Sequence, residues 1–130
     1  MRKTNSGKWL IIESLLLTTL TGCSTCESTI TDISRSPDGK FAMLITRTNC
    51  GETDPFDTQI ILMEALPSRD IGTQKVTVFD VDERSPSFQI QATWKGPSSL
   101  HVICKGCKEA DIETRRSSWK DIAISYDIQK

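Results

Sequence analysis

The chain has one histidine, no long apolar run outside its first residues and no surplus of positive charge. Each shortage closes a class of function. A single His101 leaves any Ser-His-Asp or His-based metal chemistry resting on one residue, and that residue sits inside the alternating run Leu100-His101-Val102. Alternation turns it away from Leu100 and Val102, toward the surface. A formal net charge of −1 provides no basic face for a phosphate backbone, so nucleic acid is not an expected partner. No Gly-rich phosphate loop and no Gly-x-Ser-x-Gly elbow occurs. Carboxylates do cluster (Asp80, Asp82 and Glu83; Glu52, Asp54 and Asp57), but in turn-rich segments where clusters are solvated, and with no calcium-loop spacing.

What is present begins with the leader. Met1 to Lys8 is basic, Trp9 to Leu20 is apolar, and Thr21-Gly22 precede Cys23. This is the layout of a secretory signal, and the apolar segment is shorter than the roughly 20 residues of a membrane span. Leu20-Thr21-Gly22-Cys23 matches the lipobox, and on these residues the chain resembles bacterial lipoproteins. The resemblance implies cleavage between Gly22 and Cys23, a diacylglyceryl and palmitoyl-type anchor on Cys23, and an extracytoplasmic protein held on the cell membrane or the outer membrane. Ser24, rather than Asp, resembles the outer-membrane default of lipoprotein sorting. Glu13 departs from the pattern, since a carboxylate in the apolar segment costs on the order of 3 kcal/mol for insertion. The expected organisation is a signal peptide over 1–22, a lipidated Cys and tether over 23–29, and one domain over 30–130.

That domain reads as all-β. Seven period-two runs are separated by turns: 30–34, 41–48, 58–66, 75–81, 88–94, 100–104 and 121–128. Ser36-Pro37-Asp38-Gly39 joins the first two as a hairpin, proline presetting φ and glycine supplying a positive one. In 88–94 the residues Phe88, Ile90, Ala92 and Trp94 share the core face. The stretch 105–120 is the least regular, with a short helix weighed over 110–116. The expected fold is an antiparallel meander or small sandwich behind a detached signal-peptide helix.

Five cysteines are many for this length. Removing Cys23 to the anchor leaves Cys26, Cys50, Cys104 and Cys107, and an oxidising compartment favours disulfides. Four cysteines allow three pairings. Hairpin geometry favours Cys26 with Cys50, and Cys104-Lys105-Gly106-Cys107 fits a turn bridge. A four-thiolate zinc site has only one pair at finger-like spacing, so no metal or other cofactor is expected. A redox Cys-x-x-Cys normally opens a helix, and no helical pattern starts at Cys104.

Ser36-Pro37-Asp38-Gly39-Lys40, then Cys50-Gly51-Glu52-Thr53, Thr58-Gln59, Trp94 and Leu100-His101-Val102 resemble a group of small bacterial lipoproteins of unknown function. The resemblance implies the same fold and location and no activity. The expectation is therefore a non-catalytic binding or envelope-associated domain, anchored to the membrane, with an unknown protein or envelope partner. Its contact surface is expected at the loop holding Cys50, Gly51, Thr53 and Asp57, or at an exposed sheet edge. The alternative, from another class, is a thiol-redox protein using Cys104 and Cys107.

Overall fold

A computed structural model of the chain describes residues 26–51, 53–65 and 71–130. The leader, the lipobox with Gly22 and Cys23, Glu52 and the expected strand end at Leu66 lie outside the described residues. No helix among the described residues is long and apolar enough to cross a membrane.

The strands are β1 (Glu27–Arg35), β2 (Phe41–Asn49), β3 (Phe56–Ala65), β4 (Ile71–Glu83), β5 (Gln89–Gly96), β6 (Ser99–Lys105), β7 (Ile112–Arg115), β8 (Ser118–Trp119) and β9 (Ile122–Gln129). They form a five-stranded sheet ordered β1-β2-β3-β4-β7 and a four-stranded sheet ordered β5-β6-β9-β8. The inner faces meet in one buried cluster. Met43, Ile45, Ile60, Leu62 and Phe79 come from the larger sheet, and Leu100, Val102, Cys104, Ile122 and Ile124 from the smaller. The expected all-β class is what forms, and of the two arrangements expected, meander or sandwich, it is the sandwich.

Local chemistry explains the first hairpin. The Ser36 hydroxyl donates to Asp38 Oδ1 at 2.7 Å and accepts from the Phe41 N–H at 3.1 Å, while Gly39 takes φ 75°. The Ser36 hydroxyl, then the Lys40 N–H, hold the Asp38 carboxyl below its usual range. Cross-strand register sets the faces: Met43 lies opposite Leu62 and Ile45 opposite Ile60, both inward. The alternate residues Ala42, Leu44 and Met63 form a second buried cluster on the other face of the same sheet.

Several expectations need correction. Nine strands are formed among the described residues rather than seven. β1 begins at Glu27, so Glu27 to Thr29 belong to the sheet and not to a tether; Ser28 Oγ and Thr48 Oγ1 share a hydrogen bond of 2.7 Å across it. β4 extends to both sides of 75–81 because β3 offers partners at each end, Ala65 for Ile71 and Phe56 for Glu83. Phe88 belongs to the turn before β5, its N–H bonded to Ser85 O at 3.1 Å. Residues 110–116 are not helical: a single 3-10 turn, Glu109–Asp111, leads into β7. Ile112 and Thr114 alternate in burial with Glu113 and Arg115, a period of two with no helical stripe to bury.

The sheet is also not wholly antiparallel. β6 and β9 run parallel, Leu100 beside Ile124 and Val102 beside Tyr126. A parallel pair needs a long crossover, and residues 106–121 supply it by leaving for the other sheet at β7 and returning through β8. Tyr126 fastens the return. Its hydroxyl lies 2.6 Å from Arg116 O and 3.1 Å from Val78 O, and burial pushes its pKa up to about 12.

Candidate functional site at the open end of the sandwich

β1 and β5 are edge strands on the same side of the sandwich. They touch at one end, where Trp94 Nε1 donates to Ser34 O at 3.4 Å. Toward the other end they part. The gap is a cleft of about 250 Å³ whose walls include Thr31 and Ile45 on one side and Phe88 and Ile90 on the other. A second hollow of about 210 Å³ adjoins it, with Glu27, Asn49 and Phe56 in its wall. Arg47 lines both.

The floor is polar for a reason visible in the register. The inward positions of β2 run Phe41, Met43, Ile45 and then Arg47; those of β4 run Phe79, Val81 and then Glu83. Arg47 pairs across the sheet with Thr58, and Thr58 with Val81, so all three face inward together. Arg47 grips Glu83 with both prongs, Nε to Oε2 at 2.6 Å and Nη2 to Oε1 at 2.9 Å. Thr58 Oγ1 donates to Glu83 Oε2 at 2.8 Å. The guanidinium stacks over the Phe56 ring at 3.7 Å from its centroid. The bonds to Glu83 raise the Arg47 pKa, so the cation is permanent. Glu83 keeps only 14% of its side chain exposed, against 42% for Arg47. Both charges are satisfied within the pair. Thr58, 2% exposed, serves here through its hydroxyl as a donor to Glu83, and the arrangement is a polar floor whose charges are held in place by their own hydrogen bonds.

Cys26 and Cys50 are brought to disulfide distance at this end, with Cα atoms 4.1 Å apart, tying the start of β1 to the end of β2. Cys104 and Cys107 are also at bonding distance, across a turn in which Gly106 has φ 70°. Both are fully buried in the common core, at 0% and 1% exposure. Neither opens a helix.

The expected contact loop is split. Cys50, Gly51 and Thr53 are exposed at the open end, but Asp57 sits in β3 with its side chain on the opposite face of the sheet. There Gln59 Nε2 donates at 3.2 Å to Asp57 Oδ2 and at 3.2 Å to Asp80 Oδ2, while the Oδ1 atoms of both aspartates are buried without partners. Burial first, then neighbouring Asp80, Asp82 and Glu113, pushes Asp57 up to about 7. His101 lies on the exposed face of the smaller sheet, its Nδ1 2.6 Å from Ser125 Oγ across the parallel pair. A groove of about 420 Å³ on that sheet is lined by Gln89, Gln91, Ile103 and Lys105, and His101 is not part of it. Among the described residues no three His, Cys, Asp or Glu side chains are grouped to hold a metal ion.

The sequence points to neither Arg47 nor Thr58, and it places Glu83 in a solvated, turn-rich cluster, whereas Glu83 ends β4 with 14% of its side chain exposed. The signal was available: a charge at the inward parity of an otherwise apolar strand, occurring twice. No protein-family model matches the chain, nor does any curated protein or solved structure.

Proposed function

We propose that this chain is a lipid-anchored envelope protein whose β domain is a non-catalytic binding module, with the open end of the sandwich as its contact surface. The observation that carries the reading is the place where β1 begins. With Glu27 already in the sheet, only Ser24, Thr25 and Cys26 separate it from the lipobox Cys23. At roughly 3.3–3.6 Å per residue a lipid on Cys23 would hold Cys26 within about 10 Å of the bilayer surface. The cleft, the exposed residues Cys50, Gly51 and Thr53 and the Cys26–Cys50 tie all lie at this end of the domain, so a partner in the same membrane or envelope meets them first.

The burial of Cys104 and Cys107 supports a structural bridge over the thiol-redox alternative, because a partner thiolate must reach a sulfur to exchange with it. Labelled palmitate fed to cells making the chain is expected to enter it, and Cys23→Ala is expected to abolish incorporation. A mature product that retains residues before Cys23 would sink the anchor. A reduction potential of the Cys104/Cys107 pair well above about −300 mV would revive the redox reading.

A further inference from the structure

We propose that the free edge of β5 is a strand-addition site: an extended peptide segment of a partner protein pairs along Gln89–Thr93 and sends alternate apolar side chains into the cleft above Arg47 and Glu83. This deepens the binding-module reading and rests on it. Among the described residues, β5 is an end strand with β6 as its one hydrogen-bonded neighbour, and the register is regular from Gln89 to Trp94. Natural edge strands are guarded by charge, proline or a bulge. β1 is guarded in this way, with Glu27, Asp32 and Arg35 and a register shift between Ile30 and Asp32. From Gln89 to Trp94, β5 has no charge, no proline and no bulge.

The cleft explains why this edge stays open and what it accepts. A strand added to β5 has the same pleat, so every second side chain points between the sheets. There it meets Ile90, Phe88 and Ile45 beside the stem of Arg47. The contact of Trp94 with Ser34 closes the wedge at the far end and limits pairing to the first residues of the strand. A second copy of this chain suits the edge poorly. Its own Ile90, Ala92 and Trp94 are already packed against its own core and would leave the cleft unfilled. A free segment brings side chains of its own. Its outward side chains lie toward Lys105 on β6, which stands opposite Gln89, and this favours a carboxylate there.

Displayed random dodecapeptides selected against the purified full chain provide the test, with the winning peptide resynthesised and also made N-methylated at alternate amides. Selected peptides are expected to alternate apolar and polar residues. Binding should slow amide exchange of Gln89–Thr93 by about tenfold, and N-methylation on the pairing edge should weaken binding at least as much. Thr31→Trp, which crowds the cleft mouth and gives up the 3.2 Å bond from the Thr31 hydroxyl to Ile45 O, is expected to weaken binding and to lower thermal stability by no more than that one lost bond costs. Selection of nothing, peptides without alternation, or protection falling on 27–35 instead would overturn the proposal. So would equal binding of the N-methylated peptide, or β5 protection that grows with chain concentration alone. Peptide binding does not require the lipid, so loss of palmitate labelling removes the anchor and leaves this edge untouched, and the reverse also holds.

Discussion

Asp57 shows what one residue does when its environment is inherited from register. It faces Asp82 across the β3–β4 ladder and lies beside Asp80, with Gln59 as the donor between them. A carboxyl whose folded pKa is about 7 binds a proton more tightly in the folded state than in the unfolded chain, where the value is about 3.9. Stability from this group is therefore highest below about pH 4 and falls as pH rises toward 7. Replacing Asp57 with Asn is expected to raise the midpoint of thermal unfolding by a few degrees at pH 8 and to flatten its fall between pH 4 and 7. A calorimetric series across that range reads both effects, and an unchanged slope would contradict the assignment. The pair Arg47–Glu83 makes the opposite case, since two charges on inward positions satisfy each other and Thr58.

At the scale of elements, the turns carry the sharpest constraints. Gly106 has φ 70°, and a methyl group there would come within 3.0 Å of Phe88 N and Ser87 C. Gly106→Ala is expected to cost about 1–3 kcal/mol, read from urea unfolding of the oxidised protein. The two cysteine pairs should differ in worth. Replacing Cys26 and Cys50 together with Ser releases a loop of sequence separation 24 and is expected to cost about 2–4 kcal/mol. The same change at Cys104 and Cys107, separated by 3, relieves little chain entropy. What it costs comes from placing two hydroxyls in the core instead.

For the molecule as a whole, Tyr126 joins the sheets. Its hydroxyl reaches carbonyls of Arg116 and of Val78, while its ring packs 5.2 Å from that of Phe79. Tyr126→Phe keeps the ring and loses the bond, so the expected loss is about 1 kcal/mol. Amide exchange should then quicken at Arg116, whose N–H also bonds Val78 O. Protection unaltered there would show that the hydroxyl is not what holds the crossover.

The alternating runs of this chain determined its class, most of its strands, its first hairpin and the core parity of residues such as Ala92 and Trp94, because a strand's two faces are written in a period of two. The same alternation held the clue to Arg47 and Glu83, though only as two charges at inward positions on strands far apart in sequence. Tertiary structure alone decided that they meet and that Asp57 leaves the contact loop for the opposite face. It also decided that β6 lies parallel to β9 and that β5 ends its sheet unguarded beside a cleft. Those outcomes depend on which strands become neighbours. That choice is made by burying both inner faces against each other, a sum over contacts distant in the chain that no local pattern encodes.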